Sequence, residues 1–147
     1  MGLFDFVKSA GEKVIGMVGG SPATSLIDHL KAKGLPAEKV QVEYDPNTAQ
    51  VRVSGQTATQ AEREKIRVAL GNVAGVEKVE DNVQADDGAD EARFYTVQRG
   101  DTLGKIAKDM YGKAGKYPVI FEANKPMLSD PDKIYPGQVL RIPPLDD

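Results

Sequence analysis

Few residues in this chain are equipped for chemistry, and their spacing excludes most of what they would do. There is one histidine, His29, and no cysteine. That removes thiol nucleophiles, disulfides, thiolate zinc sites and multi-histidine metal centres. His29 sits beside Leu26, Ile27 and Leu30 in a segment of helical periodicity with no G-x-S-x-G elbow anywhere, so it reads as a partly exposed helix residue rather than a catalytic base. The run Gly100-Asp101-Thr102-Leu103-Gly104-Lys105 imitates a phosphate-binding loop. It has one residue too few between its glycines, and Ile106 stands where Ser or Thr would hold magnesium. Glu80, Asp81, Asp86, Asp87, Asp90 and Glu91 offer carboxylates without the alternating spacing of a calcium loop, and read as solvated. Met110, Met127, Tyr111, Tyr117 and Phe121 read as core or loop-packing residues. The side chains therefore argue against an enzyme and for a binding protein.

Charge and length narrow the class further. The 147 residues carry 19 Lys plus Arg against 22 Asp plus Glu, a net charge of −3, which excludes a generic nucleic-acid binder. The longest apolar runs are broken by Gly, Ser, Pro or charge well short of the roughly 18 residues a membrane helix needs, so no membrane insertion is expected. Residues 1–90 sum to −4 and residues 91–147 to +1. The acidic half offers no basic patch for anionic lipid headgroups.

The elements that would position a site fall into two units. The opening segment, residues 1–20, carries five of the fifteen glycines together with Leu3, Phe4, Phe6, Val7, Val14, Ile15, Met17 and Val18. It reads as a short helix followed by a glycine-rich elbow over 7–12, packing on a neighbouring core. Its balanced charges and short, glycine-broken apolar stretch do not fit a signal peptide, and Phe6 stands where a myristoylation signal wants Ser or Thr. In residues 21–84, Ser21-Pro22 starts a helix carrying Ala23, Leu26, Ile27 and Leu30 on one face, with Gly34 ending it. Val40, Val42 and Tyr44 alternate, Asp45-Pro46-Asn47-Thr48 turns, and Ala49, Val51 and Val53 alternate again, which predicts a hairpin. Thr59 and Glu62 have capping-box spacing before a helix with Ile66, Ala69 and Leu70 inward and Gly71 at its end. Val79 and Val83 mark a third strand. Residues 85–92 are acidic and small, which reads as a linker and hinge. In residues 93–144, Tyr95 and Val97 lie in a strand, Asp101 is expected to cap a helix bearing Leu103, Ile106, Ala107 and Met110, a second helix starts near Pro118 and ends near Asn124, and Val139 to Ile142 form a closing strand. The fold class expected is α+β: two small domains, an αββαβ sandwich with both helices on one sheet face and a βααβ unit with a dense little core.

The second unit strongly resembles a LysM domain. The resemblance is carried by Tyr95-Thr96-Val97-Gln98-Arg99-Gly100-Asp101-Thr102-Leu103, by Asn124, and by Ile134-Tyr135-Pro136-Gly137-Gln138-Val139-Leu140-Arg141-Ile142-Pro143. The first unit resembles a BON domain through Gly71-Asn72-Val73-Ala74-Gly75-Val76, Val79 and Asn82-Val83. With the two in this order, the opening Met1-Gly2-Leu3-Phe4-Asp5-Phe6-Val7-Lys8 and the run Phe121-Glu122-Ala123-Asn124-Lys125-Pro126-Met127-Leu128, essentially the whole chain resembles the bacterial BON–LysM potassium-binding proteins. That resemblance implies a cytoplasmic protein that binds K⁺ and changes shape on doing so.

Selecting K⁺ over smaller or doubly charged ions calls for neutral, weak-field oxygens, which main-chain carbonyls supply without any side-chain motif. The last carbonyls of a helix lack intrahelical partners and sit at its negative dipole end. The expected ligands are the main-chain oxygens of Val7, Ala10 and Glu12 from the opening elbow and of Gly71, Val73 and Val76 from the second helix exit, brought together so that each loop offers about three. The ion would tie residues 1–20 to the BON-like core and let the LysM unit dock as an intramolecular partner. The alternative partner is peptidoglycan, since LysM domains bind N-acetylglucosamine polymers. Here that groove would lie between Gly100, Asp101, Thr102 and Leu103 on one side and Ile134 and Tyr135 on the other.

Overall fold

The computed structural model describes residues 2–7, 11, 22–89, 91–125 and 127–145. The fold is α+β in two units. The first holds β1 (Gly2–Asp5), α1 (Pro22–Ala32), β2 (Val40–Asp45), β3 (Gln50–Thr57), α2 (Gln60–Gly71) and β4 (Lys78–Ala85). The second holds β5 (Arg93–Thr96), α3 (Leu103–Tyr111), a 3-10 turn (Ala114–Lys116), α4 (Tyr117–Ala123) and β6 (Val139–Ile142).

The first sheet runs β1-β4-β3-β2. Its β2–β3 hairpin pairs Val42 with Val53 and Tyr44 with Val51, and the Asp45 carboxylate accepts the Asn47 N–H at 2.9 Å to tighten the turn. β3 and β4 are parallel, with α2 as the crossover between them. The helix begins where its sequence asks: Thr59 accepts the Glu62 N–H at 3.0 Å and the Glu62 carboxylate accepts the Thr59 N–H at 3.3 Å.

The opening residues depart from the helix expected for them. Gly2–Asp5 is a strand, antiparallel to β4 with Phe4 opposite Val79. The reason is tertiary. The outer edge of β4 carries main-chain groups in need of partners, and Leu3 and Asp5 outward with Phe4 half-buried satisfy the two-residue period of a strand.

In the second unit β5 and β6 are antiparallel, with Tyr95 opposite Leu140. The cap of α3 is Thr102, which accepts the Lys105 N–H at 3.1 Å, and not Asp101. Asp101 lies one position too early and turns back, accepting from Gln98 N–H at 2.8 Å and the Tyr95 hydroxyl at 2.6 Å. Gly112, at φ 79°, ends α3 in the left-handed conformation.

Two apolar cores form, one around Leu26, Leu30, Val51, Val53, Ile66, Leu70 and Val79, the other around Ile106, Ile120, Leu128, Leu140 and Ile142. Along β6 the residues alternate between them: Val139 belongs to the first core, Leu140 and Ile142 to the second. Arg141 points to α2, donating to the fully buried Glu64 carboxylate at 2.8 and 3.0 Å. The other Glu64 oxygen accepts from Ala92 N–H at 2.8 Å and the Gln60 amide at 3.0 Å. One turn on, buried Arg67 bonds Asp81 at 2.8 Å and Glu91 at 2.6 Å, and its guanidinium lies 3.7 Å from the Phe4 ring centroid and 5.0 Å from that of Phe94. The acidic stretch after β4 is thereby fastened along α2, with Gln60 N–H donating to Asp87 at 3.0 Å as well.

Candidate cation site at the exit of α2

Main-chain oxygens become available where α2 stops. Asn72 is its C-cap, its N–H donating to Val68 O at 2.9 Å. The chain then turns back: Val76 N–H donates to Val73 O at 3.1 Å, and Gly75 takes φ 98°, a conformation that favours glycine. Val73 and Val76 are fully buried and anchor the turn to the core. The Tyr44 hydroxyl of β2 donates to Gly75 O at 2.9 Å, and Glu77 N–H donates to Ala49 O at 2.8 Å. Among the described residues, no donor reaches the carbonyl oxygens of Gly71, Asn72, Ala74 or Val76.

The opening segment lies against this turn, main chain to main chain. Phe6 N–H donates to Glu77 O at 2.8 Å, and the Phe6 ring, only 7% exposed, covers Gly71 so closely that any side chain there would overlap it. Gly11, at φ 103°, approaches the other side; a Cβ on it would stand 2.5 Å from Asn72 O and 2.9 Å from Val73 N. Gly11 is needed because its backbone passes within the space of one methyl group of the turn, and Gly71 because the Phe6 ring fills the place a Cβ would take.

Of the expected ligands, Gly71, Val73 and Val76 lie on one tight turn, and Val7 follows the residue that covers it. The Val7 side chain is exposed and lines an open cleft with Thr96, Val97, Gln98, Arg99, Pro136 and Gly137 of the second unit. Ala10 and Glu12 lie outside the described residues. Phe6, Gly11, Tyr44 and Asn72 were not anticipated from sequence; the glycine at position 11 was the one available signal, since nothing in a local pattern announces what a loop will touch. Around the turn, oxygen is neutral: no acid occurs between Gly71 and Val76. No cluster of three or more His, Cys, Asp or Glu able to hold a metal occurs among the described residues. Neutral carbonyls at a helix C-terminus fit a large monovalent cation better than a divalent one, which draws carboxylates.

The sugar-groove candidates are differently employed. Asp101 and Thr102 spend their oxygens within the turn and on the α3 cap, and Leu103 is buried. Gly100 takes φ 87° in the turn, Ile134 leans on the second core, and Tyr135 O accepts the Gln138 N–H at 3.1 Å. The Asp101 hydrogen bond, helped by burial, pushes the Tyr95 phenol up to about 12, while the same bond holds the Asp101 carboxyl below its ordinary range.

The two units also match known domains: a BON domain model over residues 23–87 and a LysM domain model over residues 95–143. A protein of Escherichia coli O6:H1 (strain CFT073), named "Potassium binding protein Kbp", is 49% identical over 149 aligned positions, covering 97% of this chain and 99% of that protein. An uncharacterized protein of Deinococcus radiodurans is 51% identical over 49 residues, 33% of this chain and 19% of that one. With similarity of that degree running through both domains in the same order, the chain belongs to the BON–LysM family of the potassium-binding protein Kbp.

Proposed function

We propose that this protein is a cytoplasmic potassium-ion binder and sensor rather than an enzyme. Main-chain oxygens of the turn over 71–76 and of the opening elbow hold the ion, and its binding orders the opening segment and favours docking of the LysM domain. The observation that carries this reading is the approach of Gly11 to the Asn72 carbonyl, because it brings the opening segment against a turn whose neutral oxygens of Gly71, Asn72, Ala74 and Val76 meet no donor among the described residues. The E. coli relative's name supports the choice of ion. The hydrogen bonds already made by Asp101 and Thr102 weigh against the peptidoglycan alternative.

Binding to the ordered form alone adds RT ln(1 + [K⁺]/Kd), about 2.7 kcal/mol at a hundredfold excess over Kd. Thermal melting and calorimetric titration with KCl and with NaCl at constant ionic strength test it. A melting temperature that climbs with potassium and not with sodium is expected. Equal responses to the two salts refute the reading.

A further inference from the structure

Asn72 faces two ways. Its main-chain oxygen lies at the approach of Gly11, within the turn assigned above to the ion. Its side chain reaches into the LysM domain: Oδ1 accepts Val139 N–H at 2.8 Å and Nδ2 donates to Val139 O at 2.8 Å, with Met127 Sδ 3.3 Å from the same nitrogen. The residue is 5% exposed. A side-chain amide paired with both main-chain groups of one residue occupies the place of a neighbouring strand, and every one of its polar atoms is committed. Two other contacts of α2 with the LysM domain, Glu64 with Arg141 and the Arg67 guanidinium with the Phe94 ring, lie farther back along the helix.

We propose that Asn72 is a positioning residue that links occupancy of the cation turn to docking of the LysM domain. The inference rests on the potassium reading of the turn. A shift in the Asn72 main chain on ion binding carries its amide with it, so the turn that suits the ion is the one whose amide meets Val139. Linkage makes the effect mutual: docking improves ion affinity by the same factor as the ion improves docking. Glu64 and Arg141 hold the domains together without touching the turn, so they contribute to docking but not to this link.

The chain lacks cysteine, so a dye pair introduced at Lys31→Cys and Lys113→Cys, both exposed positions, reports interdomain distance by energy transfer. Potassium affinity is measured in parallel by calorimetry for the wild type, Asn72→Ala, Asn72→Ser and the double variant Glu64→Gln with Arg141→Gln, with circular dichroism checking the fold. Asn72→Ser retains a small polar group in case the alanine variant does not fold. In the wild type, potassium but not sodium sharpens the transfer signal. The Asn72 variants are expected to lose that response and about tenfold in potassium affinity, whereas the double variant loosens docking with a smaller loss of affinity. Wild-type affinity and response in the Asn72 variants overturn the proposal and leave the potassium reading intact. Equal losses in the Asn72 and double variants also overturn it, since Asn72 would then be one docking contact among several. A wild type indifferent to potassium overturns both.

Discussion

Gly71→Ala tests the packing of the opening segment on the turn at the exit of α2. Gly71 is the last residue of α2 and does not occupy the left-handed region, so alanine suits its backbone and by itself contributes about 0.5–1 kcal/mol of stability. The new methyl group, however, falls inside the Phe6 ring, whose Cδ2, Cε2 and Cζ are the three atoms nearest to it. The ring must leave. Expelling a buried phenylalanine costs about 1.5–3 kcal/mol, so the net effect is a destabilisation of about 1–2 kcal/mol. In a Phe6→Ala background the obstacle is gone, and Gly71→Ala changes sign to a gain of about 0.5–1 kcal/mol. Urea unfolding of the four members of this double-mutant cycle, followed by circular dichroism, measures the coupling directly. A coupling near zero, or a stabilising Gly71→Ala in the wild type, refutes the account of how the opening segment is seated. With the segment displaced, potassium titration of the single variant is expected to show a weaker site.

Three further outcomes follow from the same structure. Glu64→Ala leaves the Arg141 guanidinium buried without its carboxylate and is expected to cost about 3–5 kcal/mol, while Glu64→Met with Arg141→Met recovers most of that; denaturant midpoints check both. Thr59→Ala removes the capping box of α2 and costs about 1 kcal/mol in the same assay. The Tyr95–Asp101 pair acts at both ends of the pH scale. Because the folded Asp101 carboxyl titrates below its ordinary value of 3.8, its stabilisation is present above that pH and fades as pH falls through the folded value. The Tyr95 phenol, at about 12 against an ordinary value of 10.0, contributes stability that is complete below pH 10 and disappears as pH rises toward 12. Asp101→Asn should therefore flatten the acid limb of the stability curve, Tyr95→Phe the alkaline limb, and in an absorbance titration of the wild type Tyr95 should ionise late, as should Tyr111, whose phenol burial also pushes up.

What could be read in the sequence was local. The Thr59–Glu62 box, the alternation of Val40, Val42 and Tyr44, and the helix start at Pro22 each state a rule satisfied within a few residues, and the structure follows them. Gly2–Asp5 was misread because a strand at the edge of a sheet is decided by its partner, here β4, far along the chain. Asp101 was misread because Asp and Thr stand side by side and only the geometry of the turn chooses between them. The interdomain contacts were illegible for another reason. Glu64, Arg67 and Arg141 are residue types that ordinarily face water; Glu64 and Arg141 are buried because each domain supplies the other's opposite charge, and Arg67 because Asp81 of β4 and Glu91 of the acidic stretch meet it. The stretch after β4, acidic and small, has the composition of a hinge but is held down by the same helix.

The two-stranded sheet of the LysM domain has one side that β5 does not cover. There the main-chain groups of Val139 are met by the Asn72 amide, and those of Arg141 by the Asn124 amide at 2.8 and 3.0 Å. Asn124 comes from the same domain, but Asn72 does not. Whenever the domains part, half of that seal goes with the departing helix and β6 is left with a bare N–H and C=O, the kind of margin on which chains stack into aggregates. Concentrated stocks kept under conditions that separate the domains should therefore cloud or oligomerise sooner than stocks kept closed.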